Sequence, residues 1–191
     1  MPDYAIELAA FTGMRVGELS ALHHVSINRR TGFLEIDYSE HRIDYEDHSE
    51  YVIDEPKNLK HREFPLSDAI LELFERINAL GLGSEFVFVR KDGSRYTGHD
   101  VSCACRRRAE EAGLGKAVSI HMIRRTVASI MREYASVNTI SCLLGHTGPV
   151  DLGNYQHDIA DYNEKLAAAN AISANIIPFE CRKAYKERYG M

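Results

Sequence analysis

The chain has 191 residues, 45% hydrophobic and 27% charged, a balance that supports one compact domain with a buried core. No apolar run approaches the roughly 18 residues of a membrane span, and the start, MPDYAIELAAFTGMR, lacks the basic region and cleavage site of a secretory signal, so a cytoplasmic location and no membrane partner are expected. The net charge of −5 argues against a uniformly basic surface, but residues 32–56 carry nine acids and one base, Arg42, leaving the remainder at +3.

Residues 3–12 place apolar side chains at helical spacing (Ile6, Leu8, Ala9, Ala10) and Gly13 closes the run. A second short helix is predicted over 15–23. From Gly32 the period changes: FLEIDY alternates apolar and acidic residues, EYVID follows as a second strand and REFPL as a third. Together they predict a small three-stranded antiparallel sheet with polar turns around 44–50 and 57–61. Residues 68–80 form an amphipathic helix ended by Gly81, EFVFV is short and β-prone, and helices are predicted over 99–112, 121–134 and 137–144, the last ending at Gly145. TGPVDLGNY reads as a loop, 158–173 as an alanine-rich helix, and a basic tail follows. The predicted fold is α+β and mainly helical.

Four segments hold candidate chemistry. In TGMRVGELSAL, Arg15 and Glu18 are one helical turn apart, so the carboxylate can orient the guanidinium; an isolated R-x-x-E is more often a surface ion pair. In HMIRRT, His121 and Arg124 project from one helix face. In LLGHT, His146 follows a helix end, where histidine commonly caps. Tyr155 lies nine residues beyond His146 and is one of ten tyrosines. Each signal is weak alone. The cysteines Cys103, Cys105, Cys142 and Cys181 fit neither a disulfide framework nor a completed metal site.

Taken in order and spacing, TGMRVGELSAL, HMIRRT, LLGHT and Tyr155 resemble the box motifs of the tyrosine recombinase (phage integrase) family, from about residue 5 to about residue 160. The resemblance puts the family's first arginine at Arg15, its H-x-x-R pair at His121 and Arg124, its histidine-or-tryptophan position at His146 and its nucleophile at Tyr155. The family's lysine in the turn between the second and third strands matches Lys57 in EPKNLKHREFPL. Arg125 stands where many members have histidine, and Ser26 where an aspartate is usual.

That resemblance implies a DNA recombinase forming a 3′-phosphotyrosine. An unperturbed phenol has a pKa of about 10, so the site must neutralise the phosphate and help the tyrosine lose its proton. Arg15 and Arg124 suit the first task, because a guanidinium stays charged and offers a fork of donors to phosphate oxygens. His146 would add a hydrogen bond and His121 would take the phenol proton. Lys57 would protonate the leaving 5′-oxygen, and Glu18 would hold Arg15. No cofactor or metal is required. The implied partner is double-stranded DNA, bound by a homotetramer when the protein is full length; this chain alone is expected to be a monomer that binds weakly. The expected domain is 1–178, followed by a basic tail at 179–191, with the family's N-terminal core-binding domain absent from this chain. Helix 158–173 is a candidate for docking onto a neighbouring subunit. Two rival readings are a catalytically silent DNA-binding regulator and a metal-dependent nuclease using the acids of 35–55, whose alternation instead suits a solvated sheet face.

Overall fold

A computed structural model describes residues 1–55, 61–145, 162–174 and 176. The first helix, α1 (Pro2–Thr12), ends where Gly13 takes the left-handed conformation (φ 65°), and α2 (Val16–Ser20) follows after the three residues 13–15. Helix α1 is enclosed by its neighbours. Ala5, Leu8, Ala9 and Phe11 are all buried, which explains why its apolar residues do not form one clean stripe.

Among the described residues five short strands come next: β1 (Ile27–Asn28), β2 (Phe33–Ile36), β3 (Ser39–Asp44), β4 (Ser49–Asp54) and β5 (Arg62–Pro65). Strand β2 pairs antiparallel with β1 on one side and β5 on the other. The expected three-stranded sheet is therefore present with a different membership. EYVID, within β4, pairs with β3 in a separate two-stranded hairpin. Leu34 opposite Phe64 supplies the apolar face of the larger sheet.

The remaining helices are α3 (Asp68–Asn78), α4 (Gly98–Glu111), α5 (Ile120–Met131), α6 (Val137–Leu144) and α7 (Tyr162–Ala174). EFVFV forms only isolated bridges, His23 to Phe86 and Val89 to Arg95. Local signals start several helices: Thr97 and Asp100 cap α4 reciprocally, and Ser119 and Ser136 accept the N3 amides of α5 and α6. Asp3 takes both arms of Arg108 at 2.6 and 2.7 Å, tying α1 to α4.

Helix α7 packs within its own chain against α1, α3, α5 and β5. Ala168, Ala169 and Ile172 are buried there, and the small alanines allow close approach. The part of the candidate docking helix that is described, residues 162–173, thus packs in cis; residues 158–161 and the basic tail lie outside the described residues. Among the described residues no helix is long and apolar enough to cross a membrane.

Candidate active site

The site forms where the C-terminal ends of α1 and α6 meet. Gly13 and Gly145 close these helices in the same left-handed conformation, at φ 65° and 63°. Both are packed too tightly for a side chain. A Cβ on Gly13 would sit 2.7 Å from Leu144, and one on Gly145 would sit 2.8 Å from Cδ of Arg62. The last carbonyls of a helix have no partner inside it and carry its partial negative charge. Three arginines donate here, to the carbonyls of Leu143 and Leu144 at the end of α6 and to those of the two closing glycines, Gly13 and Gly145.

Arg15 is the residue immediately before α2, with extended backbone. Its amide donates to Oε2 of Glu18 at 2.7 Å and its Nη1 to Oε1 at 2.8 Å, so Glu18 reaches back from the third helical position. Nη2 donates to the carbonyl of Gly145 at 2.6 Å. The Arg15 side chain remains 44% exposed. Arg124, on α5, is only 4% exposed. Its Nη1 donates to the Gly13 carbonyl at 2.7 Å, and its Nη2 to the Leu144 carbonyl. Burial pushes the Arg124 guanidinium down to about 10, Arg15 and Arg62 push the same way, and Glu18 opposes them.

Arg62 completes the cluster. It donates from Nη2 to Oε2 of Glu18 at 2.5 Å and from Nη1 to the Leu143 carbonyl. Burial lowers its pKa, with Glu18 opposing. Burial works to raise the Glu18 carboxyl, but the charge of Arg62 and the bonds from Arg15 and Arg62 outweigh it, and the net shift is downward. Sequence reasoning gave Arg62 no role, although a signal existed. Arg62 and Phe64 share the inward face of β5, whereas Glu63 points out, and an arginine in an inward register requires a buried partner.

Of the residues named from sequence, the structure brings together Arg15, Glu18 and Arg124. His121 lies on the first turn of α5, one turn before Arg124, and is exposed. Lys57, His146 and Tyr155 lie outside the described residues. Among the described residues no group of three His, Cys, Asp or Glu side chains could hold a metal ion. The acidic segment is not wholly solvated: Glu40 is buried, paired with Arg95 and accepting the Gly98 amide at 2.7 Å.

Residues 2–161 match the sequence model of the phage integrase family. No curated protein matches the chain. Among solved structures, the Tn1549 transposon integrase in complex with transposon right end DNA is similar with a TM-score of 0.66 and 18% identity, over 98% of this chain and 58% of that one. A lambda integrase tetramer bound to a Holliday junction gives 0.57 and 21%, over 80% and 43%. XerH recombinase bound to its difH substrate gives 0.56 and 18%, over 95% and 44%. These likenesses concern the fold, and the chain spans little more than half the length of the Tn1549 integrase chain.

Proposed function

Because this chain belongs to the phage integrase family, we propose that it is the catalytic domain of a site-specific recombinase that cuts and rejoins DNA through Tyr155. The phenolate oxygen attacks the phosphorus of one phosphodiester. The bond to the 5′-oxygen breaks, leaving a 3′-phosphotyrosine and a free 5′-hydroxyl. A second 5′-hydroxyl then attacks the phosphotyrosine, restoring the phenol and sealing a new junction, so no external energy source enters the balance.

The observation that carries this reading is the convergence of three arginines: Arg15 and Arg62 share the Glu18 carboxylate, and Arg124 joins them through the carbonyls of Gly13 and Leu144. Arg15, exposed at the rim, is the first guanidinium an incoming phosphate meets. Arg124 donates through two of its five N–H groups to carbonyls, which leaves its remaining donors for the phosphate. One donor aimed at developing charge is worth roughly 2.7–4 kcal/mol, and such contributions do not add. His121 takes the phenol proton, Lys57 protonates the departing 5′-oxygen and His146 adds a hydrogen bond to the phosphate. These roles follow from the family's motif, and Lys57, His146 and Tyr155 lie outside the described residues.

Duplex DNA is the proposed substrate. The Tn1549 and lambda integrase structures are DNA complexes, the latter a tetramer, and we extend both features to the complete protein, with a monomer for this chain alone. The catalytic domain is assigned to 1–178 and the basic tail to 179–191. The test is a covalent trap with a nicked duplex carrying the protein's own attachment site. Expected is an EDTA-resistant protein–DNA adduct that Tyr155→Phe abolishes. Cleavage that needs a divalent metal would instead identify a nuclease, and binding without an adduct a regulator.

A further inference from the structure

We infer that Arg62 is a positioning residue for the proposed cleavage reaction, fixing Glu18 and the end of α6 in the places from which Arg15 is aimed. This rests on the recombinase reading for its consequence, though not for its geometry. The side chain is 6% exposed, beneath the rim where Arg15 opens to solvent, so it acts through other groups.

Two connections run from Arg62 to Arg15. The first passes through Glu18: Oε2 accepts both Nη2 of Arg62 and the backbone amide of Arg15, while Oε1 accepts Nη1 of Arg15. Without Arg62 the carboxylate would lose its buried partner and one of the groups that fix its rotation. The second passes along α6. Three successive carbonyls, Leu143, Leu144 and Gly145, each accept from a different arginine: Arg62, Arg124 and Arg15 in that order. Consecutive carbonyls at a helix end are rigidly related, so the first contact sets the position of the third. Gly145 is also wedged between the two side chains. A Cβ there would lie 3.1 Å from Nε of Arg62 and 3.5 Å from Nη1 of Arg15.

The arrangement is poorly explained by stability alone. Nε of Arg62 is buried and has no hydrogen-bond partner among the described residues, and a buried ion pair is often no more stabilising than apolar side chains of similar volume. What a planar fork provides, and a methionine cannot, is two directed contacts at a fixed angle.

The test uses the complete protein on nicked attachment-site DNA, comparing wild type, Arg62→Met and Arg62→Lys, with circular dichroism reporting folding. Arg62→Met is expected to lower the adduct-forming rate at saturating DNA by about 100-fold, the scale of a reacting geometry displaced by an ångström, while DNA affinity falls by a much smaller factor because many phosphate contacts share it. Arg62→Lys keeps the charge but not the fork, and is expected to lose about tenfold. A folded Arg62→Met protein that reacts at the wild-type rate, or loses only affinity, would overturn the inference. So would Arg62→Lys at the full rate, which decides the matter if the methionine variant does not fold. Absence of an adduct with wild type would refute the recombinase reading alone. In that case the pH titration of the Arg15 backbone amide by NMR still decides. Its step reports Glu18 and should move to higher pH in Arg62→Met; an unmoved step would sink the inference.

Discussion

Replacing Glu18 by glutamine leaves three guanidinium groups around a neutral amide, and the cost follows from the geometry. The Arg62–Glu18 contact is 2.5 Å, with both side chains under 10% exposed. Removing one partner of such a pair costs about 3–5 kcal/mol, consistent with about 4 kcal/mol for unit charges 4 Å apart at an effective dielectric of 20. The Arg15–Glu18 pair adds less than about 1 kcal/mol, because Arg15 is 44% exposed and screened by solvent. A loss of about 4 kcal/mol, at a urea slope of about 2 kcal/mol/M, lowers the unfolding midpoint by about 2 M at pH 7. The pH dependence has a definite sign. Glu18 is held below the ordinary carboxylate range in the folded chain even though burial works to raise it, because Arg62 and the Arg15 amide outweigh burial. Its stabilisation is therefore present above the unfolded carboxylate pKa and disappears as pH falls through the lower folded value. Urea melts of wild type and Glu18→Gln should converge in acid. A gap below about 1 kcal/mol at pH 7, or one that does not narrow in acid, would refute the electrostatic account. Glu18→Leu combined with Arg62→Met should recover most of the stability without recovering activity.

Gly145→Ala should lose about 1–2 kcal/mol from its left-handed backbone, plus the displacement of Arg62 by a Cβ 2.8 Å from Cδ; thermal melting tests the first and the adduct rate the second. Ile172→Ala should cost about 2–5 kcal/mol, because that side chain is fully buried against its own chain; a change under 0.5 kcal/mol would place α7 elsewhere in solution. Asp3→Asn should cost about 1 kcal/mol, the value of a partly exposed bidentate pair. Arg108 holds the Asp3 carboxyl below its ordinary value, so that difference should vanish as pH falls through the lowered folded value, and denaturation at stepped pH checks it.

The helices were legible because their ends are marked. Gly13 and Gly145 stop α1 and α6, and the apolar residues of α3 keep one face. Strand β3 was hidden because SEHRID has no apolar alternation; it is held by pairing with β4 in a largely exposed hairpin. For the same reason β4 could be recognised as a strand but assigned to the wrong sheet. Glu40 looked solvated because its partners, Arg95 and the Gly98 amide, lie more than fifty residues away. His121 and Arg124 share a helix, yet one is exposed and the other buried, a difference set by the carbonyls packed over Arg124. Arg62 is the hardest to read: its register with Phe64 carries the information, but Glu18 has a candidate partner only three residues away in Arg15.

The convergence of two helix ends gives the cluster a charge suited to its proposed ligand. Three arginines supply three positive charges and Glu18 removes one. The C-terminal ends of α1 and α6 each present roughly half a negative charge, together offsetting about one more. About one positive charge remains, equal and opposite to that of a phosphodiester. Had carboxylates performed the work of the carbonyls, the guanidiniums would be fully paired and a phosphate would have to displace a formal charge to bind. Carbonyl dipoles instead satisfy the hydrogen bonds while leaving the charge available, and because they belong to helix ends fixed by packing, they do so without reorganising when the phosphate arrives.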